Sequence, residues 1–245
     1  MGPFAIIGNP VKSSMSPALF RAAYPQLPAD IYRVLEVPDA LTGWKEVQRL
    51  GIRGFNVTMP FKADFIQFVQ QTEPAVKEIH ATNLVYIREG SWIAGNTDVW
   101  GVVNSFTDLG TILKGKHVLV IGAGGAGRAA ALGLEQARAV VYMANRTVRE
   151  GLHPLTSIPD LLKQCFLVVN TIPRDPLQAL RTGLTDNHVI LDASYTETPL
   201  KEAAIRAGAF YMSGYHWLYH QAVDGFKLLT GTEPDKKAMR KLLGL

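Results

Sequence analysis

The sequence has 245 residues, 47% hydrophobic and 19% charged, which is too apolar for a disordered chain and long enough for one large domain or two small ones. Lys and Arg outnumber Asp and Glu by 25 to 21, but the excess is spread along the chain, so no cationic face dense enough for nucleic acid is expected despite a pI near 9.1. A single Cys165 excludes an intramolecular disulfide, no secretory leader precedes Phe4, and the most apolar stretch, 117–134, holds Arg128 and five glycines, so the expectation is a cytoplasmic protein with no membrane partner.

Phe4-Ala5-Ile6-Ile7-Gly8 reads as a first strand, with Asn9-Pro10 as the turn after it. Ser16-Pro17 opens a helix, with Ser16 as N-cap and Pro17 at the first helical position. Residues 31–37 and 54–58 give two further strands, and residues 81–86 and 92–96 a hairpin joined near Glu89-Gly90. From 118 the pattern changes to short, continuous apolar runs: 118–121, 140–144, 166–170 and 189–192. Such runs, separated by helical sequence, predict buried parallel strands in crossover units. Boundaries fall after residues 98 and 213, giving segments 1–98, 99–213 and 214–245. Apolar residues at Leu218, Ala222 and Phe226 give the last segment helical spacing, and it is expected to return to the first domain. Cys165 is read as a buried strand residue, since no base motif surrounds it.

Gly122-Ala123-Gly124-Gly125-Ala126-Gly127 follows a strand and precedes a helix. The first glycine allows the tight turn, the second lets a pyrophosphate approach the backbone, and the third permits close helix–strand packing. An enzyme using NAD usually carries Asp or Glu about 20 residues later to bind the ribose 2′-hydroxyl. Here the sequence reads Asn145-Arg146-Thr147, with Arg149 beyond. A guanidinium there can fork onto a 2′-phosphate, so NADP is favoured over NAD.

Two polar clusters remain in the first segment: Asn56-Val57-Thr58-Met59-Pro60-Phe61-Lys62 and Asn96-Thr97-Asp98. Lys62 and Asp98 are either surface charges or, if they converge in a cleft, a pair able to handle a proton.

These motifs, in this order, resemble the shikimate dehydrogenase family over nearly the whole chain. Gly8-Asn9-Pro10 with Ser14-Met15-Ser16-Pro17 is similar to its substrate-carboxylate turn, and Asn56 to Lys62 to its catalytic-lysine segment. Gly95-Asn96-Thr97-Asp98 is similar to its second signature, Asn145-Arg146-Thr147 to its NADP motif, and Gln221-Ala222 to its C-terminal substrate-binding glutamine. The resemblance implies an N-terminal α/β substrate domain, a Rossmann-like doubly wound NADP-binding domain, and C-terminal helices returning to the first domain. It implies NADPH-dependent, reversible reduction of 3-dehydroshikimate to shikimate in aromatic amino-acid biosynthesis, by a monomer or homodimer. It assigns the substrate carboxylate to Ser14 and Ser16, the hydroxyls to Thr58, Asn83, Asp98 and Gln221, and catalysis to the pair Lys62 and Asp98. It assigns the cofactor to Gly122, Gly124, Gly125, Gly127, Asn145, Arg146, Thr147 and Gly214. No metal is required.

Several positions depart from the family pattern. Ser13 replaces a usual His, His80 stands where Gly is common, and His216 takes the place of the second glycine after Gly214. The segment after Tyr195 is shorter than the family's. His216 and His220 have i,i+4 spacing, but without a carboxylate motif beside them no metal site is expected. A quinate/shikimate relative with relaxed cofactor use is the nearest rival reading. A catalytically silent NADP-binding regulator is the other, and it would be expected to have lost Lys62 or Asp98.

Overall fold

Phe4-Ala5-Ile6-Ile7-Gly8 forms β1, buried over its whole length, and a six-stranded sheet is built around it. The computed structural model describes residues 2–172 and 183–245. The chain divides into two units, Met1–Thr97 with Gln221–Leu245, and Asp98–His220.

In the first unit, β1 (Phe4–Gly8) lies between parallel strands β2 (Tyr32–Glu36) and β3 (Gly54–Val57). The sheet continues through β5 (Leu84–Arg88) and β6 (Ser91–Gly95), which are antiparallel, to the short β4 (Gln71–Thr72), in the order β2-β1-β3-β5-β6-β4. Glu89 and Gly90 join the hairpin with φ of 52° and 78°, the left-handed pair that a tight hairpin turn needs. Residues 81–83, expected in a strand, lie outside it, because Thr82 turns its hydroxyl onto the carbonyls of Leu84 and Gly95.

Ser16 is not the N-cap that the sequence predicts. The helix Ser16–Ala23 has Met15 at the cap position and no side-chain cap bond, with Pro17 in its first turn. Ser14 supplies the local acceptor instead: its Oγ takes the Ser16 N–H at 3.2 Å. His80, found where the family favours glycine, ends the helix Pro74–Ile79 in the left-handed region at φ 55°, so it adopts the conformation a glycine would supply there.

Residues 221–245 pack within this first unit. The Phe226 ring lies 5.0 Å from Phe20 and 5.9 Å from Tyr32, and Leu228 and Leu229 cover buried Tyr86. The helix Gly214–Thr230 begins at the expected boundary, but the division falls inside it, between His220 and Gln221. A continuous helix carries the chain past the division, so no loop composition marks that point.

The second unit holds β7 (His117–Ile121), β8 (Val140–Asn145), β9 (Leu152–Pro154), β10 (Leu167–Asn170), β11 (Val189–Asp192) and β12 (Phe210–Met212). All are parallel, in the order β12-β11-β10-β7-β8-β9. This is the doubly wound arrangement in which the strand order reverses beside the first strand of the unit, the place where such sheets bind a dinucleotide. Helix Asp98–Thr107 packs on helix Gly125–Gln136 so closely that a Cβ at Gly133 would stand 2.2 Å from the Val99 carbonyl oxygen. Cys165 is fully buried just before β10, not within it, and burial pushes its thiol up to about 11. Among the described residues, no helix is long and apolar enough to cross a membrane.

Candidate functional site

The two motifs of the first unit lie back to back because Gly8 has no side chain. A Cβ there would stand 2.3 Å from Thr58 Cγ2 and 3.0 Å from the Met59 carbonyl oxygen. The contact is held by Thr58 N–H donating to Ile7 O at 2.9 Å and Asn9 N–H donating to Met59 O at 3.0 Å. Both loops carry a cis peptide bond, Asn9-Pro10 and Met59-Pro60. Ser14 and Ser16 follow in the same unit. The Ser14 oxygen is occupied by the Ser16 N–H, so the Ser14 hydroxyl hydrogen is the one to donate to an anion.

Lys62 is half-buried, between the buried ring of Phe61 and exposed Ala63. Its carbonyl accepts Thr82 N–H at 2.7 Å, which ties the lysine-bearing loop to the start of the hairpin. Asp98, the residue proposed to pair with it, is the first residue of the second unit and opens helix Asp98–Thr107.

A cluster of amides gathers at β3 and beside the hairpin. Asn83 Nδ2 donates to Thr97 Oγ1 at 3.1 Å and to Gln221 Oε1 at 3.2 Å, while its Oδ1 accepts Thr97 N–H at 2.8 Å. Thr97 Oγ1 in turn donates to Gln221 Oε1 at 3.2 Å. Two donors converging on Oε1 fix the Gln221 amide so that Nε2 is the donor it offers a ligand. Asn56 joins the cluster: Oδ1 accepts the Tyr32 phenol at 2.7 Å, and Nδ2 donates to Asn83 O at 3.3 Å. Asn83 and Gln221, predicted from sequence 138 positions apart, are therefore in direct contact. Tyr32, Asn56 and Thr97 were not singled out from the sequence. Asn56 and Thr97 stand inside quoted motifs, and an Asn or Thr at a buried strand end was the signal available for them.

In the second unit the glycine turn has the form its sequence predicts. Gly122 takes φ 103°, donates its N–H to Ala144 O at 2.8 Å, and leaves no room for a Cβ, which would lie 2.4 Å from Thr171 Oγ1. A Cβ at Gly127 would lie 2.0 Å from the Gly122 carbonyl oxygen, so the helix start can press onto the turn only as glycine. Gly124 is the N-cap of helix Gly125–Gln136, and no side chain caps that end. Arg128 reaches back to Ala123 O at 3.0 Å. Beside this turn, β8 ends at Asn145, whose Nδ2 donates to Thr147 O at 3.0 Å and folds the loop. That fold leaves Arg146 and Thr147 exposed, and no carboxylate stands in residues 145–149. The turn and the Arg146 loop fit a dinucleotide bearing a 2′-phosphate.

Gly214 starts the last helix of this unit, with its N–H on Ser194 O at 2.8 Å and a Cβ position only 2.5 Å from Ala193 O. Tyr195 and Tyr215 stack with centroids 5.3 Å apart, and Trp217 Nε1 donates to Asp98 O at 2.9 Å. The spaced histidines have separate partners: His216 Nδ1 is 3.3 Å from Ser213 O, and His220 Nε2 is 3.7 Å from Asp108 Oδ2.

Residues 6–85 match the family described as the shikimate dehydrogenase substrate binding domain. A shikimate dehydrogenase (NADP(+)) from Archaeoglobus fulgidus is 35% identical over 264 residues, covering 96% of this chain and 95% of the relative. A crystal structure of a shikimate 5-dehydrogenase from Thermus thermophilus, in complex with NADP(H) and shikimate, is 30% identical with a TM-score of 0.87, covering 100% of this chain and 99% of that one. A quinate dehydrogenase from Corynebacterium glutamicum, in complex with NAD, is 28% identical with a TM-score of 0.85, covering 100% and 99%. With the motifs in family order, the amide cluster and the doubly wound sheet, this similarity over the full length of the chain places the protein in the shikimate dehydrogenase family.

Proposed function

We infer that the protein is an NADP-dependent shikimate dehydrogenase, a cytoplasmic enzyme of aromatic amino-acid biosynthesis that interconverts 3-dehydroshikimate and shikimate. The observation that carries this reading is a polar cluster suited to a polyhydroxylated acid in the same chain as a glycine turn whose neighbouring strand is followed by Arg146, with no carboxylate in residues 145–149.

The residues divide the work. Ser14 and Ser16 hold the substrate carboxylate through their hydroxyls. Thr58, Asn83 and Gln221 bond the ring hydroxyls, with Gln221 donating from Nε2. Gly124, Gly125 and Gly127 would receive the pyrophosphate on backbone N–H groups, with Gly122 shaping the turn beneath it while its own N–H stays on Ala144 O; Asn145, Arg146 and Thr147 would hold the 2′-phosphate, and Gly214 would border the nicotinamide. The bound nicotinamide supplies the hydride. As the ketone becomes an alkoxide, the Lys62 ammonium stabilises the developing charge and delivers the proton that completes the hydroxyl. Asp98 is assigned to the substrate hydroxyl and, with Lys62, to the acid–base chemistry. In the oxidative direction the same proton returns to Lys62.

The Arg146 loop favours NADP over NAD, the nucleotide in complex with the quinate dehydrogenase relative. Incubation with 3-dehydroshikimate and NADPH tests the assignment: one shikimate should form per NADPH consumed. Absence of turnover would overturn it.

A further inference from the structure

Tyr32 carries a hydroxyl that the hydrophobic core does not need. Its side chain shares a sheet face with Phe4, Ile6 and Asn56, because Tyr32 pairs with Phe4 and Asn56 pairs with Ile6 across β1. Two strand spacings separate β2 from β3, about 10 Å, and only a long side chain bridges that gap. The ring is fixed by apolar neighbours: it stacks on Phe20 at 4.6 Å and meets the edge of Phe226 at 5.9 Å. The phenol is thereby aimed at Asn56 Oδ1, 2.7 Å away, in a site where Tyr32 and Asn56 are both buried. Burial raises the phenol above its ordinary pKa, so it stays a donor throughout the working range.

A phenol has one hydrogen. Spent on Asn56 Oδ1, it forces the amide to present Nδ2 to Asn83 O. A chain of hydrogen bonds therefore runs from Tyr32 through Asn56 to Asn83, Thr97 and Gln221. We propose that Tyr32 is a positioning residue for substrate: its hydroxyl sets the amide orientation of Asn56, and so steadies Asn83 and the hydroxyl end of the site. The inference rests on the assignment of this amide cluster to shikimate made above.

Tyr32→Phe tests it, because the ring and its stacking partners remain and only the hydroxyl is lost. With NADP+ saturating, the KM for shikimate should rise about tenfold, as expected for one buried hydrogen bond, while kcat and the KM for NADP+ stay within about twofold. In an Asn56→Ala background, where the link is already cut, the same substitution should raise the KM by less than about threefold. A shikimate KM within twofold of wild type would overturn the proposal. So would a parallel loss in kcat and both KM values, or an insoluble Tyr32→Phe protein, since each assigns the phenol to folding alone. A full tenfold effect in the Asn56→Ala background would overturn the coupling. Normal wild-type turnover with an unchanged Tyr32→Phe KM refutes this inference only; absence of wild-type turnover refutes both readings, since Tyr32 would then have no such substrate to position.

Discussion

Asn83 Nδ2 and Gln221 Oε1 lie 3.2 Å apart, and Thr97 Oγ1 donates to the same Gln221 oxygen from 3.2 Å. Gln221 sits on the helix Gly214–Thr230, far along the chain from the hairpin that carries Asn83 and Thr97. The contact turns two isolated polar residues into one preorganised donor, since an amide held at its oxygen presents its nitrogen without further ordering.

Thr97→Val keeps the shape and removes one of the two bonds to Gln221. It should raise the KM for shikimate about fivefold to tenfold and lower stability by about 1 kcal/mol. Steady-state kinetics and denaturant unfolding check both numbers, and an unchanged KM would separate Gln221 from substrate.

Lys62→Ala should lower kcat by about 10²-fold or more, the usual contribution of a positioned acid–base group. NADP+ affinity should be unchanged, because Lys62 belongs to the first unit and the glycine turn to the second. Turnover near the wild-type rate would remove Lys62 from the chemistry.

Arg146→Ala should weaken NADP+ by about 10- to 100-fold, the range of a charge-assisted bond, and leave NAD+ binding unchanged. Titration by nicotinamide fluorescence reads both. Equal weakening of the two nucleotides would show that Arg146 does not read the 2′-phosphate.

Asp192 is 1% exposed and accepts four neutral donors: Asn170 Nδ2 at 3.1 Å, Ser194 N at 3.2 Å, Thr198 Oγ1 at 3.0 Å and Tyr211 Oη at 3.0 Å. Thr198 also caps the helix Pro199–Ala207, so this carboxylate organises the whole turn after β11. Asp192→Ala strands buried donors and should cost about 3 kcal/mol or more, lowering Tm by roughly 8 °C. A calorimetric Tm within 2 °C of wild type would contradict this account, 1 kcal/mol being worth about that much in a chain of this size.

What the sequence revealed and what it hid follow from the range of the interactions. The glycine turn was legible because Gly122 and Gly127 answer to clashes with Thr171 and Gly122 itself, and the strand–turn–helix context is local. The central strands β7, β10 and β11 were legible because burial on both faces leaves short, continuous hydrophobic runs. Edge strands β9 and β12, of three residues each, carry too short a pattern to announce themselves. Ser16 looked like a helix cap because Ser-Pro usually is one, yet Ser14 takes the Ser16 N–H. Tyr32 was hidden for a different reason. Tyrosine in a strand reads as core, and its second role depends on Asn56, which reaches it only across β1.

The most direct test of the central claim follows nicotinamide absorbance with shikimate as substrate, in parallel with NADP+ and NAD+, and again with quinate. The account predicts rapid reduction of NADP+ by shikimate and reduction slower by about tenfold or more with NAD+, from loss of the charge-assisted bonds to Arg146, with little turnover of quinate. Equal rates with NAD+ or with quinate, or no reduction with any pair, would contradict it.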